Sequence, residues 1–194
     1  RDVCIADADP TAKGSLHWHK KRPNEQTPVD VYHIPRGADL IKTVNRLNAK
    51  YEIVIIDCPP AIEKVTSSAV AKSDFSLIPV STKGGSDSEV LRDFLDHLEL
   101  LRARLDAPLP SYIVVNQYRD NYNLHQSFRE VLDEFSEEYN VPVIGSIAER
   151  VAYGEASALG LGALEWQDNK AKSEIKDVGQ QIEEILSNTV QPVK

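Results

Sequence analysis

Two aspartates stand two residues apart, directly after the first apolar run of the sequence. The run Val3-Cys4-Ile5-Ala6 predicts a short strand, and Asp7-Ala8-Asp9-Pro10 follows it. Side chains at positions i and i+2 of an extended chain point to the same side, so Asp7 and Asp9 would present their carboxylates together. Two negative charges held this close need a cation or an ordered water. The alternative is a turn in which one Asp caps the following helix.

A third aspartate, Asp57, also ends an apolar run. Residues 53–56 are Ile-Val-Ile-Ile, and Pro59 and Pro60 follow Cys58. Four β-forming residues before a single Asp are the pattern of a Walker-B strand, whose carboxylate holds Mg²⁺ directly or through a water. The same pattern occurs where a buried strand simply ends in an acidic residue, so the pattern alone leaves both interpretations open.

Asn116 closes another apolar run, Tyr112-Ile113-Val114-Val115. A side-chain amide both donates and accepts hydrogen bonds, which suits contact with the edge of a purine base. The alternative is an Asn that closes a turn, and the run by itself favours neither.

Six short apolar runs alternate with helical patterns, which is typical of βαβ units and a parallel sheet. Most of the runs are continuous and β-branched, which indicates strands covered by helices on both faces. We therefore expect a doubly wound α/β fold with a mostly parallel sheet, in a single domain over residues 1–194. Ligands bind such sheets at the carboxyl ends of the strands. The six predicted strands lie at Val3–Ala6, Val29–Ile34, Ile53–Ile56, Phe75–Val80, Tyr112–Val115 and Val141–Ile144.

The composition narrows the class of protein. A formal charge of −8 argues against a protein built mainly to coat nucleic acid, although it is compatible with a local basic patch. No apolar run of the sequence reaches the roughly 18–20 residues of a membrane span. Cys4 and Cys58 lie inside apolar runs without metal-binding spacing, which indicates buried thiols in a reducing cytoplasm. Residues 17–24 are predicted to form an exposed loop.

Five motifs, taken in order, resemble the ParA/MinD family of ATPases, and the ParA-type partition ATPases most of all. Each motif is weak by itself, but together they follow the order and spacing of the family over essentially residues 3–186. The resemblance implies a P-loop NTPase of the SIMIBI type that binds ATP and Mg²⁺. The motifs are DADP at 7–10, IVIIDCPP at 53–60, AVAKSDFSLIPVS at 69–81, VVNQY at 114–118 and IAERVAYGEASALGLGALEW at 147–166.

The resemblance implies roles for four of these residues. Asp9 would orient the attacking water in ATP hydrolysis, and Asp57 would hold Mg²⁺, through a water. Asn116 would contact the adenine, and Asp7 would support the water shell of Mg²⁺ or the loop itself. Thr11 stands where the family usually has Gln.

The phosphate-binding loop of the family, K-G-G-x-G-K-T/S, does not occur in residues 1–194. The resemblance places it, with its strand, ahead of Arg1, and we expect such an upstream segment because the sequence opens with Arg and contains no methionine. Without that central strand, its neighbours would leave backbone amides unpaired, at about 1–3 kcal/mol each. Lys83-Gly84-Gly85-Ser86 looks superficially similar, but no Gly-Lys-Ser/Thr follows it, so it predicts a turn before a helix.

The resemblance also implies a biological setting and partners. It implies a cytoplasmic, nucleoid-associated ATPase for plasmid or chromosome segregation, acting without a membrane. Such a protein forms a homodimer on ATP binding, is stimulated by a centromere-binding adaptor protein and binds DNA non-specifically. Because the chain is acidic, DNA contact requires a local basic surface. The candidates for that surface are Arg119, Arg150, Lys170, Lys172 and Lys176.

Three other functions remain open. A MinD-like positioning ATPase would bind membrane through a C-terminal amphipathic helix, but residues 187–194 lack a basic amphipathic face. A catalytically inactive ParA-like scaffold would keep the fold, whereas Asp9 and Asp57 are retained here. The D-x-D-P motif and residues 149–153 fit a ligase of related fold, such as a dethiobiotin synthetase, less well.

Overall fold

The structure is a computed structural model that describes residues 1–60, 62–81, 87–119 and 123–189, without the side chains of residues 123–126. In this described part of the chain, six strands alternate with α-helices. The strands are β1 (Val3–Asp7), β2 (Asp30–His33), β3 (Ile53–Asp57), β4 (Ser76–Ser81), β5 (Ser111–Tyr118) and β6 (Val143–Ala148). The helices are α1 (Gly14–Lys21), α2 (Leu40–Asn48), α3 (Lys64–Lys72), α4 (Asp87–Leu105), α5 (Asn123–Glu138), α6 (Val151–Ala158) and α7 (Asn169–Thr189).

The α/β fold class is confirmed and a parallel strand is present at each of the six predicted places, although the sixth is Val143–Ala148 and not residues 141–144. The turn predicted at residues 83–86 lies outside the described residues. One prediction is wrong: residues 17–24 are not a loop throughout, since residues 14–21 form α1. The helix follows Lys13, which has a left-handed φ of 51°, and it ends before Pro23, which holds Arg22 in an extended conformation. Helix α1 lacks a wide apolar stripe, so the spacing of its apolar residues did not predict a helix.

The contacts of the chain divide it into two compact units. The first unit comprises Arg1–Ser73 with Glu155–Gly162, and the second comprises the described residues of Asp74–Gly154 and Ala163–Lys194. The single ATPase domain over residues 1–194 stays a prediction.

The first unit contains a parallel sheet with the strand order β2-β1-β3. Helices α2 and α3 pack against each other, α2 packs on β3, and α1 contacts β1 and β2. The side chains at the centre of this unit are small or aliphatic, which lets the helices lie close to the sheet. They are Cys4, Ala6, Ala8, Ile34, Leu40, Val44, Leu47 and Ala69.

The second unit contains a parallel sheet with the order β4-β5-β6. Helix α4 contacts β4, α5 contacts β6, and α7 packs along β6. Gly145 of β6 permits this last contact, because a Cβ there would lie 2.8 Å from Cγ2 of Val178 on α7. Within the described residues, no helix is long and apolar enough to cross a membrane.

Each sheet ends in a strand that has an apolar side chain in solvent. Among the described residues, β3 pairs with β1 alone and β4 pairs with β5 alone. Ile55 of β3 is 50% exposed and Leu77 of β4 is 40% exposed. Strands with such continuous apolar sequences are usually covered on both faces, so both edge strands offer room for further structure.

Candidate functional site

The carboxyl edge of the first unit brings three polar side chains together. In the register of the sheet, Asp7 at the end of β1 lies beside His33 of β2 and beside Asp57 of β3. Parallel strands end at the same edge, so this neighbourhood follows from the order β2-β1-β3. Two of the aspartates selected from the sequence are therefore adjacent in the fold.

Asp7 is fully buried and is held mainly by backbone amides. Its Oδ1 accepts a hydrogen bond from the N–H of Asp9 at 3.2 Å, and its Oδ2 accepts one from the N–H of Leu16 at 2.9 Å. The buried Nδ1 of His33 lies 3.9 Å from Oδ1 and forms no hydrogen bond among the described residues. Asp7 thus ties the loop after β1, and the first turn of α1, to the edge of the sheet.

Asp9 is also buried, and its carboxylate accepts hydrogen bonds from the backbone of the loop that follows it. Its Oδ1 accepts hydrogen bonds from the N–H groups of Thr11, at 2.7 Å, and Ala12, at 2.8 Å. This is the turn-capping arrangement that the sequence left open as an alternative. The contacts give Asp9 a structural role in this loop, and its role in orienting a water stays a prediction.

Asp57 is half-buried and receives a hydrogen bond from a residue that the sequence did not single out. The hydroxyl of Ser15, near the start of α1, donates to Oδ2 of Asp57 at 2.6 Å. The N–H of Ala8 donates to the backbone oxygen of Asp57 at 2.8 Å. The hydrogen bond from Ser15 fixes the orientation of the Asp57 carboxylate.

Cys58 follows Asp57 but is not a reactive thiol. Burial, and then the negative charge of Asp57, raise the pKa of Cys58 to about 11. The thiol therefore stays protonated at neutral pH, which removes it from the candidates for nucleophilic chemistry.

The charges of this edge fit a magnesium ion that arrives with a nucleotide. Among the described residues, no Lys or Arg pairs with Asp7, Asp9 or Asp57. That part of the chain also contains no group of three His, Cys, Asp or Glu side chains that could hold a metal by themselves. Mg²⁺ bound to phosphates usually takes only one or two carboxylates and keeps several waters. One half-buried carboxylate beside a hydroxyl fits that mode of binding.

Sequence reasoning missed Ser15 and the amide of Leu16. Ser15 lies inside the first turn of α1, whose N-cap is Lys13, so the usual preference for Ser at an N-cap gives no signal for it. The contact with Asp57 joins residues 42 positions apart. Local patterns do not encode such a distant pair.

Asn116 lies in the second unit, at the carboxyl end of β5. Its Oδ1 accepts a hydrogen bond from the N–H of Gln117 at 2.9 Å, and Gln117 has a left-handed φ of 59°. The register places Asn116 beside Ser81 of β4 and Ile147 of β6. The side chain thus lies at an irregularity of the register near the end of β5, and its contact with adenine stays a prediction.

Two of the five basic candidates for DNA contact are neutralised by acidic neighbours. Arg119 forms an ion pair with Glu149, and Nε of Arg150 donates to Oε1 of Glu174 at 3.0 Å. The other three candidates lie on α7, where Lys170 and Lys176 are exposed and Lys172 is half-buried. DNA contact by these five residues stays a prediction.

The chain is similar to known proteins in sequence and in fold. A family model described as an AAA domain matches residues 30–110. An uncharacterised protein of Pseudomonas putida is 27% identical over 116 residues, which are 59% of this chain and 43% of that protein. The chain therefore spans less than half the length of this curated relative.

Solved structures share the fold over almost the whole chain. The MinD cell division protein of Aquifex aeolicus is 19% identical, covering 100% of this chain and 87% of that one, with a TM-score of 0.65. A Borrelia burgdorferi protein described as a plasmid partition protein, bound to AMPPNP, is 18% identical over 96% of this chain and 87% of its own, with a TM-score of 0.69. The chain thus shares the fold of these MinD and plasmid partition proteins, and the resemblance to the ParA/MinD family is confirmed.

Proposed function

We propose that this chain is the larger part of an ATP-dependent partition switch, which binds ATP with Mg²⁺ and hydrolyses it weakly. The observation that carries the proposal is the edge of the first unit, where Asp57 is oriented by Ser15 and no Lys or Arg among the described residues pairs with it. A half-buried carboxylate that a hydroxyl orients and that no basic side chain among the described residues neutralises can accept a cation. Mg²⁺ on a nucleotide would be that cation.

Each residue at this edge would have a separate role. Asp57 would hold Mg²⁺, through a water, while Ser15 keeps the carboxylate oriented. Asp7 would secure the loop through the amides of Asp9 and Leu16. Asp9 would orient the attacking water once nucleotide binding has rearranged its loop, because its Oδ1 now caps residues 11 and 12. When bound, Mg²⁺ would neutralise phosphate charge in the transition state.

The proposal includes an upstream strand and phosphate-binding loop. The pairing of β3 supports it, because among the described residues β3 pairs with β1 alone, although its continuous apolar sequence is typical of a strand inside a sheet. A strand paired there would cover this edge, and its following loop would begin at the carboxyl side where Asp7 and Asp57 lie. The backbone amides and lysine of such a loop supply most of the phosphate recognition.

The partners that we propose follow from the same family. ATP would bring two copies together as a homodimer, a centromere-binding adaptor would stimulate hydrolysis, and the dimer would bind DNA without sequence preference. Asn116 would contact the adenine. The setting that we propose is the cytoplasm, in association with the nucleoid.

The test compares this chain with the protein extended by its natural upstream sequence. We expect calorimetry to give negligible ATP affinity for residues 1–194 and Mg²⁺-dependent affinity for the extended protein. Within the extended protein, Asp9→Ala should abolish turnover while leaving ATP binding largely intact. Equal affinity of the two chains would place the nucleotide site elsewhere. Full turnover by Asp9→Ala would refute its role, and ATP binding without turnover in the parent would favour the inactive scaffold.

A further inference from the structure

A cationic segment surrounds α1, although the chain as a whole is acidic. Residues 10–24 contain Lys13, Lys20, Lys21 and Arg22, two histidines and no Asp or Glu, in a chain with a net charge of −8. The last turn of α1 is basic, and no acidic residue occupies its first turn. This segment therefore carries four of the 22 Lys and Arg residues of the chain, without a carboxylate among them.

The side chains of α1 separate into an inner and an outer face. His17, Lys20 and Lys21 are exposed and stand three and four residues apart, which places them on one side of the helix. Leu16, Trp18 and His19 are half-buried instead. Lys13 is half-buried and precedes the helix in a left-handed conformation, so it does not belong to this series. We call His17, Lys20 and Lys21 the outer face of α1.

The inner side of α1 is fastened to the rest of the first unit. Nε1 of Trp18 donates to the backbone oxygen of Leu161 at 3.2 Å, and Nη1 of Arg22 donates to that of Gly160 at 3.0 Å. The guanidinium of Arg22 also lies 4.9 Å from the centre of the Trp18 ring. Arg22 thus helps to hold α1 in place. The residues of the outer face therefore lie on a helix whose other side is bonded to the first unit.

The lysines of the outer face have no acidic partners among the described residues, since no carboxylate there pairs with Lys20 or Lys21. Arg119 and Arg150, in contrast, are paired with Glu149 and Glu174. A free lysine can neutralise a phosphate without first breaking an ion pair. The outer face of α1 is therefore better suited to an anionic partner than the two arginines.

We propose that the outer face of α1 binds the phosphate backbone of duplex DNA. This inference rests on the proposed function and gives its DNA contact a different location from the five basic residues named above. An eight-residue helix is about 12 Å long, and duplex DNA carries one charge per about 1.7 Å of its axis, so several phosphates lie within reach.

The chemistry of the outer face favours DNA over a lipid surface. A helix that lies on a membrane inserts large apolar side chains beside its lysines. None of the exposed large apolar residues of the described chain lies within residues 13–21. The outer face is therefore purely cationic and polar, as a phosphate-binding surface requires.

The experiment measures binding of the extended protein, with ATP and Mg²⁺, to a labelled random-sequence duplex over a range of salt concentrations. The test variant is Lys20→Glu with Lys21→Glu. The matched control is Lys170→Glu with Lys172→Glu, which changes the net charge by the same amount on α7. A second variant, Lys20→Arg with Lys21→Arg, keeps the charge. Circular dichroism checks that each variant is folded, and ATP affinity is measured on all of them.

We expect the glutamate variant of α1 to lose about tenfold or more in affinity, with a log–log salt slope shallower by about 2 for each bound copy. The α7 variant and the arginine variant should bind like the parent. Loss of binding in the α7 variant alone would overturn the inference and leave the proposed function standing. A parent that binds ATP but no duplex would overturn the inference together with the proposed DNA partner. Binding of anionic vesicles or polyglutamate in preference to duplex would also overturn it.

Discussion

Asp57 in the first unit and Glu174 in the second are both half-buried carboxylates, but they are held in different ways. Glu174 accepts hydrogen bonds from Arg150, from the hydroxyl of Tyr153 at 2.8 Å and from the N–H of Ala148 at 3.2 Å. Asp57 accepts one from the hydroxyl of Ser15, and no Lys or Arg of the described chain pairs with it. Glu174 is thus paired with a basic side chain, whereas Asp57 has no such pair among the described residues.

This difference indicates that Glu174 has a structural role, whereas Asp57 is suited to binding a ligand. Burial of Glu174 opposes its ionisation, but the hydrogen bonds from Arg150, Tyr153 and Ala148 outweigh it and lower the pKa of Glu174. Glu174 joins the end of β6 to α7 and has no capacity left for a further cation. Asp57 retains that capacity, and we interpret the first unit as the one that receives the metal and the phosphates.

The largest effect that we expect comes from Gly160, which supports the helix that carries Ser15. Its φ is +70°, and a Cβ there would lie 2.4 Å from the backbone nitrogen of Arg22. Gly160→Ala should lower the free energy of unfolding by about 3 kcal/mol, from backbone strain and from the clash. Thermal and denaturant unfolding measure this change.

The matched control is Gly179→Ala, which makes the same substitution inside α7. A Cβ at Gly179 meets nothing within 4 Å. Alanine there should raise stability by about 0.5–1 kcal/mol, since glycine is unfavourable inside a helix. If both substitutions change stability alike, the contact of Gly160 with the end of α1 is not what holds that helix.

Glu174→Gln should have a smaller effect. It removes the ionic partner of Arg150, and we expect a loss of about 1–3 kcal/mol at neutral pH. Because the pKa of Glu174 is lowered in the folded state, its contribution is complete above the ordinary value of 4.5 and is lost as the pH falls through the lowered pKa. The gap in stability between parent and variant should therefore shrink in acid.

Glu184→Gln provides the control for that experiment, because Glu184 is an exposed residue of the same helix. It should change stability by no more than about 0.5 kcal/mol at any pH. A pH-independent loss in Glu174→Gln would show that packing, and not the charge of Glu174, stabilises the end of β6.

The sequence predicted the strands for a physical reason, whereas only the family resemblance, through its roles around Mg²⁺, implied that Asp7 and Asp57 lie near each other. Continuous β-branched runs define parallel strands, and parallel strands end at a common edge. It did not predict α1, whose side chains are mostly polar and whose position depends on bonds from Leu16 to Asp7 and from Ser15 to Asp57. Helix α3 was missed as well, because its buried face consists of the small residues Thr66, Ala69 and Val70.

The most direct test of the central claim is the Mg²⁺ dependence of nucleotide binding in Asp57→Asn of the extended protein, measured beside its unfolding temperature. The amide can still accept from Ser15, and the change removes a negative charge beside Asp7. We therefore expect stability to stay within about 0.5 kcal/mol of the parent or to rise, as substitutions at functional sites often do. We also expect the gain in ATP affinity on adding Mg²⁺ to disappear in Asp57→Asn and to persist in Glu174→Gln. An Mg²⁺ dependence in Asp57→Asn equal to that of the parent, or a loss of stability as large as that of Glu174→Gln, would contradict the assignment of the metal to this edge.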